Sequence, residues 1–271
     1  MLQLSLASAA ILAALSCVAS AQTSAPNFVE NGELVVCTTA SFPPLTYRAD
    51  PGDTAPIGID IDVATELARR FDATPKYQTT DFSGLLPSLS AGRCDLIISG
   101  IYINTERRKT FSGISYMQST TAIITAATNT DITSPEDLSG KVIALESGAY
   151  YNEEQIVPLN AELEAAGKPA IQVRDYPTPQ EATQQVMIGR VDATMSEGTE
   201  AAYRMAQAPG KLRVAYVYPS AFTYGIYIQP DEANTQAVVS ALKEMKSEGF
   251  FITLAEKYGL NPTIFDVDYD S

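Results

Sequence analysis

The sequence predicts an α/β protein of two lobes, each a mainly parallel sheet flanked by helices, joined by two strands that cross between them. Three observations predict it. Apolar runs of strand length alternate with amphipathic helical segments through the first hundred residues, the pattern of a parallel sheet. A β-branched run, residues 120–127, breaks that alternation, and a second series of strand and helix signals follows it. An alternating run at residues 224–229 then returns the chain before two closing helices. A chain that crosses twice leaves a cleft between its lobes, a natural ligand site that closes by hinge motion.

Residues 2–18 are apolar or small, and Ala19-Ser20-Ala21 fits the small-x-small cleavage pattern. Residues 1–21 therefore read as a secretory signal peptide, with Gln22 as the mature N-terminus. The run is short for a membrane span. No Lys or Arg precedes it, and Ala14-Leu15-Ser16 before Cys17 is a poor match to a lipidation signal.

Residues 34–38 (LVVCT) are a buried strand, and Pro43-Pro44 keep the polar, aromatic loop after it from continuing the strand. Residues 47–57 are rich in Gly, Pro and Asp and form a turn region. Val63, Ala64, Leu67 and Ala68 recur at helical spacing, with Asp60 or Asp62 as the expected N-cap. Residues 76–79 are a strand and residues 83–91 a short helix blemished by Pro87. Residues 95–100 (DLIISG) are an apolar run bounded by polar residues, a strand buried on both faces.

Cys37 lies late in the first strand and Cys94 just ahead of this one. If the strands are level, the two differ by several residues at about 3.3 Å each, beyond disulfide reach, so two buried thiols are expected. After the strand, IYINTERRK carries hydroxyls and two arginines at the carboxyl end, where open α/β sheets place ligands. Arg107 offers a planar fork of donors suited to a carboxylate, although from spacing alone Arg107 and Arg108 read more readily as solvated helix charges.

In the second half, Ser134-Pro135 starts a helix. Residues 141–145 are a strand, and residues 146–151 a turn opening a helix whose free N–H groups suit an anion. Residues 171–174 and 191–195 are strands, residues 179–188 a helix, and Ser196-Glu197-Gly198 ends the later strand before another helix. Residues 212–216 and 224–229 are strands, and residues 234–248 and 250–258 the closing helices, with Gly259 as C-cap.

Composition narrows the function. The 271 residues are 45% hydrophobic and 18% charged, with a net charge of −14, a surface that repels nucleic acid. The absence of histidine removes Ser-His and Cys-His catalysis and the commonest metal ligand. No phosphate-loop, dinucleotide, hydrolase-elbow or EF-hand motif is present. Neither a cofactor nor a metal is expected.

Taken together, LVVCTTASFPPL, GIDIDVATELARRF, the stretch from Asp81 to Tyr116, SPEDLSGKVIALESG, EATQQVMIGRVDATMSE, YGIYI and EKYG resemble the family-3 extracellular solute-binding proteins. These are periplasmic receptors for polar amino acids in ABC importers. The resemblance implies the type II periplasmic binding protein fold, with residues 22–119 plus 223–271 as lobe 1 and residues 120–222 as lobe 2. It implies an aromatic clamp at Phe42 and Phe82, backbone and hydroxyl contacts at Gly100 and Tyr102, and a carboxylate-binding Arg107. Gly148, Ala149 and Tyr150 fall on a second carboxylate-binding loop, and Glu197 on the acid that pairs with an α-ammonium. Thr39 stands where many members carry an ammonium-binding Asp. Tyr102, Ala149 and Tyr150 make the site more aromatic than the family pattern, which suits an amino acid or another zwitterion with a weakly hydrated cation. The implied partners are a small zwitterionic ligand and an inner-membrane ABC permease, with the receptor itself a monomer. The alternative is a dehydratase: cyclohexadienyl dehydratases share this fold and resemble the chain at Thr38-Thr39 and at residues 99–107, with Glu153 or Glu154 near the loop for a general acid. A receptor sensor would instead need a membrane span after the domain, and none follows before Ser271.

Overall fold

The computed structural model describes residues 25–50 and 52–269. Residues 1–21, expected to be a signal peptide and including Cys17, lie outside the described residues. Ten strands and eight α-helices follow in order. They are β1 (Glu33–Thr38), β2 (Ser41–Phe42), β3 (Thr46–Tyr47), α1 (Ile59–Arg70), β4 (Thr74–Thr79), α2 (Leu85–Ser90), β5 (Leu96–Tyr102), α3 (Thr105–Arg108) and β6 (Ser112–Ala126). Next come β7 (Val142–Glu146), α4 (Val157–Ala165), β8 (Gln172–Tyr176), α5 (Pro179–Met187), β9 (Ala193–Glu197), α6 (Gly198–Gln207), β10 (Leu212–Ile228), α7 (Glu232–Ser247) and α8 (Phe250–Tyr258).

One eight-stranded sheet runs through both lobes in the order β4-β1-β5-β10-β6-β9-β7-β8. Its outer thirds, β4-β1-β5 and β9-β7-β8, are the parallel parts. Between them lie β6 and β10, long antiparallel partners that span both lobes. The β-branched run at residues 120–127 is therefore the second half of one 15-residue strand, and the two C-terminal strand signals are the ends of one 17-residue strand. The unpatterned residues between those signals, Val217 to Ala221, hold a register shift against β6.

Burial follows the apolar spacing. α1, α7 and α8 cover one face of the first lobe through Leu67, Val238, Leu242 and Leu254, over Leu34, Ile98 and Ile226. Leu85, Leu89, Ile97 and Tyr227 fill its other face. The second lobe packs Ile143, Leu145, Ile156 and Leu163 on one face and Ala144, Ala182 and Val186 on the other.

Two expectations are corrected. Asp60 is no N-cap. Gly58 opens α1 in a glycine-only conformation, φ 132° and ψ −179°, with no side-chain cap. The carbonyls of Pro44 and Leu45 take the N–H groups of Ile59 and Asp60 instead. That frees the buried Asp60 carboxyl to accept from the Gly100 N–H at 2.8 Å and the Tyr116 hydroxyl at 2.6 Å, binding helix to sheet. Burial pushes it up to about 7 against those two bonds. Asp62, one turn position on, accepts from Lys257 and Tyr258 of α8.

Cys37 and Cys94 form a disulfide, with Cα atoms 5.7 Å apart. The strands are level, Val36 beside Leu96 and Cys37 beside Ile97. Cys94, however, lies in the turn leaving α2, where Arg93 N–H still donates to the Ser88 carbonyl. The chain there is off the strand axis, so counting residues along a straight strand overstated the distance. With the cysteines 57 positions apart in sequence, loop closure stabilises the fold by about 4 kcal/mol.

Candidate functional site

The site lies where the carboxyl ends of β5, β7 and β9 face one another across the crossing strands. Arg107 is in the single turn of α3, where the Asn104 side chain accepts the Arg107 N–H at 2.9 Å and caps the turn. Its guanidinium donates to the Tyr102 carbonyl at 2.7 Å and, across the cleft, to the Gly148 carbonyl at 3.3 Å. It lies 6.0 Å from the Phe82 ring centre. Among the described residues it has no carboxylate partner. A guanidinium held only by neutral oxygens retains its capacity for a bidentate carboxylate.

Gly148 supplies that carbonyl from a left-handed turn, φ 81°, and a side chain there would press on Ser83 at 3.2 Å. Ala149 and Tyr150 follow, both buried. The Tyr150 ring lies 4.4 Å from that of Tyr102, and its hydroxyl bonds Thr121 at 2.7 Å. Phe222 of β10 completes this aromatic cluster at 5.3 Å from Tyr102 and 5.1 Å from Tyr150.

Glu197 ends β9 and is buried. Burial, then the neighbouring charge of Glu200, pushes its carboxyl up to about 8, while the Tyr151 hydroxyl opposes the shift. Glu200 is raised by burial too, against Arg204 and the Ser196 hydroxyl, which bond it at 3.0 and 2.7 Å.

The residues expected from sequence thus divide. Phe82, Tyr102, Arg107, Gly148, Ala149, Tyr150 and Glu197 come together around the cleft. Thr39, Phe42 and Gly100 form a layer beneath it whose polar groups are already engaged. The Thr39 N–H and hydroxyl both bond Ser99, the Gly100 N–H goes to Asp60, and Phe42 packs so closely that a Cβ on Gly100 would stand 2.4 Å from its ring. Sequence reading missed Glu146, Tyr151, Glu200 and Arg204. The only signal for them was Glu146 ending an apolar strand two residues before Gly148, and Glu197 and Glu200 sharing one helical turn.

Over residues 34–261 the chain matches the model of the bacterial extracellular solute-binding proteins, family 3. It belongs to that family. The arginine-binding protein ArgT of Corynebacterium glutamicum is 24% identical over 88% of this chain and 77% of its own length. An ancestral arginine-binding protein bound to arginine superposes with a TM-score of 0.76 at 29% identity, covering 84% of this chain and 98% of that one. An ancestral amino acid-binding protein that is a precursor of cyclohexadienyl dehydratase superposes at 0.71 with 26% identity, covering 85% and 97%. Membership makes this solute-binding chain a binding protein rather than an enzyme. Glu153 and Glu154, weighed as general acids, are exposed, and Glu154 makes only a 3.5 Å contact from the Asn104 amide. Among the described residues no helix is long and apolar enough to cross a membrane.

Proposed function

We propose that the chain is the periplasmic receptor of an ABC importer, delivered through its signal peptide, and that it binds an amino acid or similar zwitterion between its lobes. Residues 22–119 plus 223–271 form lobe 1 and residues 120–222 form lobe 2, so the crossings fall at Ser119 beside Phe222 and Thr120 beside Ala221. The observation that carries the reading is Arg107, which reaches from α3 to the Gly148 carbonyl with no carboxylate of the described residues on it. A ligand carboxylate occupies that fork and the Gly148–Tyr150 turn. Its ammonium faces Glu197, and Phe82, Tyr102 and Tyr150 enclose the rest. Thr39, Phe42 and Gly100 shape the site from below. The arginine relatives support an amino acid as ligand. The monomer docks, closed, on an inner-membrane permease.

Calorimetry of the mature protein against a panel of amino acids tests this. Arg107→Ala is expected to weaken the best ligand by about 100-fold, two charge-assisted hydrogen bonds' worth, with the melting temperature of the empty protein little changed. Unaltered affinity in Arg107→Ala overturns the reading. If only anions without nitrogen stabilise the protein, the role given to Glu197 is wrong.

A further inference from the structure

The crossing strands present two faces, and the candidate ligand site takes one of them. Side chains alternate along β6, and directly paired residues of neighbouring strands share a face. Thr121 bonds the Tyr150 hydroxyl and has Glu197 as its antiparallel partner. Ser119, two residues back, is paired with Phe222, which completes the aromatic cluster. Ser119, Thr121, Glu197 and Phe222 therefore look towards the cleft. Thr120 with its partner Ala221, and Gln118, look the opposite way.

On that back face a cavity of about 360 Å³ separates the lobes. Its second-lobe wall is Gly198 and Thr199, the first residues of α6. This helix lies on the back of the sheet, with Ala201 in one apolar cluster with Ala122 and Ile124. The first-lobe wall is Ile264, in the single turn at Pro262–Phe265. Gln118, Thr120 and Ala221 form the floor. The walls are not knit together. The Thr199 hydroxyl oxygen is buried without a hydrogen-bond partner, and the Gln118 amide donates to the Thr263 carbonyl of its own lobe at 2.9 Å.

Strands that lie between a cleft and a gap move the two in opposite senses when the lobes rotate about them. Closing the cleft swings the start of α6 away from Ile264 and widens the gap. Opening the cleft drives the two walls together. Volume added in the gap therefore obstructs opening, and volume removed from it permits more.

We propose that the side chains of this gap, Ala221 and Ile264 foremost, set the closure equilibrium and so tune the affinity of the cleft from behind, without touching the solute. This rests on the reading of the two lobes as hinged, and not on which solute binds. Apparent affinity scales with the fraction of protein already closed, so the gain from a wedge is capped by the reciprocal of that fraction.

Small-angle scattering of the ligand-free mature protein tests it, with Ala221→Leu, Ala221→Trp and Ile264→Ala, each checked for cooperative thermal unfolding. The radius of gyration is expected to fall from wild type to Ala221→Leu to Ala221→Trp, and to rise in Ile264→Ala. Titration with L-arginine and L-glutamine is expected to show about a three- to tenfold gain in Ala221→Trp for whichever binds the wild type. General loss of stability produces no such gain. Radii unchanged or larger in the Ala221 variants overturn the proposal, as does a radius for Ile264→Ala at or below the wild-type value. A compact Ala221→Trp that binds no more tightly than wild type overturns it too. Where Ala221→Trp does not fold, Ala221→Leu and Ile264→Ala decide. If neither amino acid binds, support for the amino-acid reading is lost, while the scattering still decides for or against the gap.

Discussion

Glu197 ends β9 with its carboxyl withdrawn from water and a second acid, Glu200, beside it. Both raise its pKa, to about 8, against the Tyr151 hydroxyl. Burial in the closed cleft and the charge of Glu200 therefore favour its protonated form while no cation is present. In the proposed site a ligand ammonium needs it ionised, so binding is expected to expel a proton. The sign follows: affinity rises with pH up to about 8 and levels off above, by at most about tenfold per unit. Calorimetry at pH 7 in two buffers of different ionisation enthalpy is expected to show proton release, and Glu197→Gln to abolish it. Proton uptake, or affinity that falls between pH 6 and 8, would contradict this assignment. The groups that face Glu197, namely Glu146, Glu200, Tyr150, Tyr151 and Tyr224, were mostly illegible in the sequence. A glutamate two residues before a turn looks like any solvated strand end until the partner strand is placed beside it. Arg107 stands out in the sequence because it lies in a contiguous motif at a strand's carboxyl end.

At the scale of elements, strand and helix periods were read well, because apolar spacing states which face is buried. What the chain does at element ends was read less well, because neighbours distant in sequence decide it. α1 is the clearest case. Local rules give Asp60 or Asp62 the cap, yet the loop at Pro44 and Leu45 caps the helix through backbone, and Asp60 turns inward to Gly100 and Tyr116. The disulfide was misjudged for the same reason, a turn treated as if it were strand. The cap depends on Gly58, where a Cβ would stand 2.1 Å from the Leu45 carbonyl oxygen. No side chain can yield there, because the obstacle is backbone. Gly58→Ala is expected to cost roughly 3 kcal/mol or more in urea denaturation, combining a forbidden conformation with displacement of the capping loop. A loss under about 1 kcal/mol would show that the loop is not what fixes the helix start.

At the scale of the molecule, β6 and β10 make one sheet of two lobes, so the lobes can rotate without breaking a core. Among the described residues the polar contacts that hold them closed without ligand are few and long: Arg107 to Gly148 at 3.3 Å, Arg204 to Ser41 at 3.4 Å and Asn104 to Glu154 at 3.5 Å. Bonds of that length contribute little. The tilted Tyr102–Tyr150 ring pair adds an apolar contact that water competes with poorly. Against this, every carboxyl withdrawn into the closed cleft resists closure while it lacks a cation. In the proposed site a ligand reverses the balance by bonding Arg107 on one lobe and Glu197 on the other. Each charge-assisted bond is worth roughly 1.5–3 kcal/mol, enough together to move a closure equilibrium by about 100-fold. Small-angle scattering is expected to show the empty protein more extended than the ligand-bound one, with the difference lost in Arg107→Ala and in Glu197→Gln. Equal radii of gyration with and without a ligand that calorimetry shows to be bound would mean that the lobes form one rigid body, and that the carboxyls in the cleft are tolerated rather than relieved by closure.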